Sequence, residues 1–493
     1  MSLSKINNNK FFSKSVLITG CILGLSACGS DSGSGSGSKP ATDKGYVKFY
    51  NASETAPEVF LTIDENPNSS KDDHFERTYS GVEYSKAGIN HDIPVRKHTY
   101  ELAWQDGTST KRDDLKLFNK GEVKAEKGKI KLLVLTNTID APQVEKYTID
   151  VINTDQDKKD KVFDIRALNL YSNSNNYELH VSKGNETFKE ATKVATVAYK
   201  GLSDSKKLKY DDYVFYITEA GKTDVVYQSE KVTHKHTSQY VMVIRKNTGS
   251  GSSPVTLDRV AGSSTVEYVD HDAEAKYKVY NGIQKIDLLP DYNSSVDFFL
   301  GSVDDTPDVA NLMLGKRSES IKHAKGDYGV DITNAGTKKT ILKNHLLSLE
   351  KNSNKTIFLY VDEINGENDK KDHKVNTLIV KNDRSLSLYD QKLALLNLVD
   401  SDDFSQARFY FVRSDETIDT AKLNKTVRFG ENESINLINN SYKVYAIASQ
   451  NSSRLVLASF DLTINKDSKE QFLVLEKDAD SSTGYIIRVL KRS

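Results

Sequence analysis

Few side chains in this sequence are spaced so that they could do chemistry. One is a thiol: Cys28 closes the run Leu25-Ser26-Ala27-Cys28, a nucleophile behind small residues at the end of an apolar segment. A second candidate is a pair of imidazoles. His234 and His236 flank Lys235 in a probable strand, where alternate residues share a face and both rings would reach one metal ion. The sequence offers them no third ligand. A third candidate is a set of oxygens. Asp64, Asn66 and Asn68, followed by Asp72 and Asp73, alternate carboxylates and amides as calcium loops do, so the cofactor to consider is a structural calcium ion. The EF-hand pattern fails, because Ser69 stands where its glycine is needed and Phe75 where its bidentate glutamate is needed. Asn153, Asp155 and Asp157 repeat the hint. Acidic surface loops account for both stretches. The last candidate is Trp104, the single tryptophan. Exposed, it would stack on a sugar; turned inward, it would be core.

The elements before Cys28 define a leader. Lys5, Lys10 and Lys14 give a basic start, and Ser15 to Ala27 (SVLITGCILGLSA) an apolar run. A secretory signal has this layout, and the run falls short of the roughly 20 residues that span a bilayer. The Gly/Ser-rich stretch Gly29 to Ser38 follows. Leader, cysteine and stretch together resemble the signal of bacterial lipoproteins. The resemblance implies that the Cys28 thiol is diacylated, that the chain is cut before it, and that the new amino terminus is acylated. Several acyl chains anchor firmly, since each buried methylene contributes about 0.8 kcal/mol. Gly29 in place of aspartate implies the outer membrane. Residues 1–27 therefore read as signal peptide and 28–44 as tether.

Cys21 and Cys28 are the only cysteines, so the processed chain would hold no disulfide and must be stabilised by its core. A formal net charge of −1, with both signs interspersed, describes a solvated surface and argues against nucleic acid as a partner. Tyrosine (25) and phenylalanine (18) far outnumber methionine (3), which favours strands over amphipathic helices.

The larger pattern is fourfold. Four segments open with an apolar strand that ends in asparagine: Tyr46 to Asn51, Ile165 to Asn169, Tyr277 to Asn281 and Leu393 to Asn397. The last also reads as a helix (QKLALLNLV), but its register matches the other three. A second strand follows each, starting at Glu58, Tyr177, Ser295 and Ala407. Mid-repeat strands then run into hairpin turns at Gly107, Gly221, Gly336 and, in the fourth repeat, Asn451. Next come continuous apolar runs at Ile130 to Leu135, Tyr240 to Ile244, Ile357 to Val361 and Phe472 to Leu475, as central strands require. The recurring asparagine reads as an Asx turn. About seven short strands per repeat predict an all-β chain, a tandem array of about four Ig-like β-sandwich domains. The expected limits are 45–160, 161–272, 273–391 and 392–493, with charged linkers at 155–161 and 271–276.

Gly45 to Pro57 (GYVKFYNASETAP), continued by Glu58 to Asp64, resembles the opening of the bacterial domain DUF4397. The match is good in the first repeat, weaker in the third and faint in the others. It implies an exported β domain and no particular activity. No nucleophile elbow, zinc-protease helix, phosphate loop or dinucleotide fingerprint is present. The sequence thus leads to a non-enzymatic, lipid-anchored envelope protein. Its domains would form a lever that presents protein-binding or adhesion surfaces away from the membrane. A glycan-binding or glycan-processing accessory protein is the alternative, with Trp104 as its anchor.

Overall fold

The computed structural model describes residues 44–64, 77–105, 114–152, 154–173, 175–284, 292–365, 371–382 and 386–491. The leader with Cys28, the tether, Asn66, Asn68, Gly107 and Asn153 lie outside them.

The described residues are nearly all strand, arranged as tandem β-sandwiches. Their strands form eight sheets, two to a repeat. In every repeat the opening strand lies parallel to the apolar strand near the repeat's end. The registers coincide: Asn51 faces Leu135, Asn169 faces Ile244, Asn281 faces Leu359 and Asn397 faces Leu475. Parallel neighbours need a long crossover. The intervening chain supplies it by building the second sheet, in which the second strand pairs with the mid-repeat strand. Between the sheets lies one apolar core per repeat. The segment Asp390–Asn397 is strand, not helix. Eight to ten strands make each repeat, more than the seven expected. The expected linker at 155–161 is instead the short helix Thr154–Asp160.

The recurring asparagines hold the point where the chain leaves one sheet for the other. All four are fully buried. Each side-chain oxygen accepts the backbone N–H two residues on, at Ser53, Tyr171, Ile283 and Val399. Each side-chain amide donates across the sandwich, to the carbonyls of Val82, Val197, Leu312 and Val427. The backbone carbonyls also match. Those of Asn51, Asn169, Asn281 and Asn397 accept the N–H of Ser85, Lys200, Gly315 and Gly430, every one of them at positive φ. Gly315 needs the freedom of glycine twice over, since a Cβ there would meet the Arg488 guanidinium at 3.2 Å. Gly221, Gly336 and Asn451 hold the left-handed φ that their hairpins require.

The apolar strands are buried on both faces, and the outer face is covered by another repeat. Ile130, Leu132 and Val134 of the first repeat pack on Val241, Val243 and Val260 of the second. Phe358 and Val380 of the third pack on Leu396, Phe472 and Val474 of the fourth. The repeats are therefore paired, first with second and third with fourth. The lever expected from sequence is replaced by a packed body, because each central strand carries apolar side chains on the face that a lone sandwich would expose.

Polar groups register both pairs. In the first, the Tyr50 hydroxyl donates to Asp258 at 2.8 Å, and Arg245 grips the same carboxylate at 2.7 and 3.1 Å. In the second, Tyr280 lies beside Glu476, whose carboxylate takes a 2.8 Å bond from Arg488. Tyr50 and Tyr280 each precede the buried asparagine. The charged partners, however, are exchanged. Arg245 follows Ile244, and Glu476 follows Leu475, the residues that face the asparagines of their repeats. Asp258 lies opposite Val243, and Arg488 opposite the equivalent Val474. Removing one partner of a buried pair costs roughly 3–5 kcal/mol, because it leaves a charge alone. Glu476→Arg and Arg488→Asp should each lower the unfolding midpoint. The double variant, which copies the polarity of the second repeat, should recover most of the loss. A double variant no more stable than the worse single one would show that the two interfaces are not equivalent; calorimetry decides.

Candidate binding site at the repeat junction

The structure disperses the residues singled out from sequence. The Asp64 carboxylate is taken up within the protein by Arg96 at 2.9 Å, His98 at 2.6 Å and the Thr99 N–H at 2.9 Å. Asp155 lies on the helix, and Asp157 there is buried with Lys207 at 2.5 Å. Among the described residues no three His, Cys, Asp or Glu side chains gather as a metal would need. His234 and His236 do not share a face. The strand Val232–His234 stops at the first of them. His234 is buried and stacks on Phe163 at 4.4 Å, while His236 is exposed. Burial and nearby Arg259 push the His234 imidazole down to about 4, so the ring is neutral and belongs to the core. Trp104 faces neither core nor open water. It stacks on Tyr389 at 5.2 Å, so the segment between the third and fourth repeats covers one face of the indole.

That contact belongs to a ring of joints. The Leu388 N–H donates to the Thr55 carbonyl at 3.0 Å, tying this segment to the first repeat. Asn439 of the fourth repeat holds the Tyr389 and Leu388 carbonyls. The second and third repeats meet through polar groups. Ser250 donates to the carbonyls of Glu274 and Ser353, and Asn352 bonds both Gly251 and Asn247. Glu230 gathers Lys325, Lys351 and His271, which hold its carboxyl down at about 2. With the two pair interfaces, these joints close the body around a cavity of about 460 Å³.

All four repeats line this cavity. The first gives Pro57, Glu58, Glu83 and Tyr84; the second gives Arg245 and Glu267. The third gives Lys381 and Asn382, and the fourth Asp390, Lys392 and Asn436. Partial burial raises the Glu58 carboxyl, and the nearby charges of Glu83 and Asp390 raise it further. Tyr84 lies under the Arg245 guanidinium at 5.6 Å. The volume falls in the range of small-molecule sites. Sequence gave no sign of this cavity. Its lining consists of ordinary surface residue types at unremarkable spacing, brought together only when repeats pack.

A second buried charge lies between the first two repeats. Lys48 is 5% exposed, and its amine donates to the carbonyls of Ala261 and Gly262 at 2.6 and 3.1 Å. No carboxylate answers it there, and burial pushes the amine down to about 7.

No family model and no curated protein matches the sequence. Among solved structures, the chain is similar to the Bacillus anthracis TIE protein at 10% identity, covering 89% of this chain and 76% of that one, with a TM-score of 0.15. It is also similar to a product complex of SpuA, a multi-modular glycogen-degrading pneumococcal virulence factor, at 8% identity. That match covers 84% of this chain and 38% of the other, with a TM-score of 0.14. At these scores neither likeness says anything about chemistry.

Lys48 gives the body a pH dependence of definite sign. Folded Lys48 releases its proton near pH 7, whereas the unfolded chain keeps it to about 10.5. Between these values the unfolded state binds more protons, so stability from this residue rises with pH. Below pH 7 the penalty is whole, roughly 5 kcal/mol as an upper bound. In denaturant titrations, Lys48→Met should stabilise the protein most at pH 7, with the gain shrinking toward pH 10. A gain independent of pH would mean that Lys48 is charged and solvated in the folded state.

Proposed function

We propose that this protein is a lipid-anchored component of the bacterial cell envelope that binds a ligand without transforming it. The observation that carries the reading is the open, mixed-charge cleft to which all four repeats contribute residues. The leader ending in Cys28, with Gly29 after it, supports export and lipid attachment at the outer membrane. The resemblance of the first repeat to DUF4397 is consistent with an exported β domain. The packing changes what presentation means here. The repeats fold onto one another, so what is presented is a body of packed pairs and not a stack of separate domains. Tyr389 covers one face of Trp104, so the glycan reading would have to use the other face.

Cys28→Ala tests the anchoring. The wild-type chain should partition into detergent and fractionate with outer membranes. The variant should appear in the soluble fraction with an unchanged unfolding midpoint. A variant that stays with membranes would refute lipid attachment at Cys28. A variant that cannot fold would refute the independence of anchor and body. Protease applied to intact cells separates a surface protein from one facing the periplasm.

A further inference from the structure

The junction cavity is lined by charges of both signs. Arg245 is already neutralised, gripped by Asp258 and 3.5 Å from Glu267. The other charges differ. The side chains of Glu58 and Glu83, from the first repeat, form no hydrogen bond or ion pair among the described residues. The same holds for the side chains of Lys381 of the third repeat, whose charge also acts on Glu350, and Lys392 of the fourth. Asp390, which has an interaction of its own, stands near Glu58 and adds to the negative potential. Ala56 and Pro57 give this wall a buried apolar part, so a ligand there would be partly removed from water. The four charged side chains are themselves exposed, so each bond to a ligand is modest and recognition needs several together.

The signs select the ligand. A dianion would face Glu58, Glu83 and Asp390, and a dication would face Lys381 and Lys392. Only a ligand carrying both signs answers both sets, since each wrong pairing costs affinity. We propose that the cavity binds a small zwitterion, a free amino acid or short peptide. Glu58 and Glu83 take its ammonium group, and Lys381 and Lys392 take its carboxylate. The inference rests on the binding role proposed above and names the chemical class of its ligand. Because Glu58 and Glu83 come from the first repeat and Lys381 and Lys392 from the third and fourth, the ligand also bridges the pairs.

Three five-carbon probes decide: the zwitterion 5-aminovalerate, the dication cadaverine and the dianion glutarate, each titrated by calorimetry into the full-length protein in mild detergent. 5-Aminovalerate should bind saturably at one site. Glu58→Gln with Glu83→Gln should weaken it by about tenfold or more, and Lys381→Met with Lys392→Met likewise. Lys120→Met, on the exposed strand Leu115–Lys124, should leave binding unchanged. Unfolding midpoints establish that the variants fold. Cadaverine or glutarate binding as tightly as 5-aminovalerate would overturn the zwitterion while leaving the cavity a binding site. Absence of saturable binding by all three probes at millimolar concentration would overturn the assignment of this cavity. Neither outcome bears on the Cys28 anchor, which fractionation tests separately.

Discussion

The rest of the structure depends on a central strand that is apolar on both faces. Ile130, Leu132 and Val134 point one way from their strand, Leu133 and Leu135 the other, and all are buried. One face meets the second sheet of its own sandwich. The other cannot be left in water, where each large side chain would forgo roughly 1.5–3 kcal/mol of burial. Another repeat supplies the cover, so the repeats are stable as pairs.

Much follows from that pairing. Residues alternating with the apolar ones on the opening strand, Lys48 and Tyr50, are carried into the interface and need partners there. Tyr50 finds Asp258 and Arg245, while Lys48 finds only carbonyls. The exchanged charges of Glu476 and Arg488 make the second interface chemically unlike the first, though built at the same positions. Both ion pairs lie within one repeat, Arg245 with Asp258 in the second and Glu476 with Arg488 in the fourth, and only Tyr50 and Tyr280 reach across. The charges therefore fix what each tyrosine meets at its interface, while the apolar faces supply the cover. The polar joints between pairs then bring residues of all four repeats to one cavity.

The strand plan was legible in the sequence because period-2 alternation and the terminal asparagine recur in all four repeats. The asparagine could be read as an Asx turn because that bond is local. Its amide bond to the opposite sheet could not, since the acceptor lies some thirty residues away, as Val82 does from Asn51. Continuous apolar runs were readable as central strands, but what covers their second face was not. Lys48, Arg245 and Asp258 look like surface residues until a second repeat is laid on them. His234 and His236 misled for a related reason, since alternation predicts a shared face only while the strand continues. Trp104 misled because its partner, Tyr389, lies far along the chain.

The central claim, that a repeat depends on its pair, has a direct test. Trp104 is the only tryptophan and lies in the first repeat, so its fluorescence reports that repeat and its contact with Tyr389. Val243 of the second repeat points into the interface between them. If pairing is obligatory, Val243→Asp should shift the Trp104 unfolding transition to lower denaturant, together with the loss of strand signal. A Trp104 transition at the wild-type midpoint, with the second repeat destabilised, would show that the sandwiches stand independently and would contradict the account.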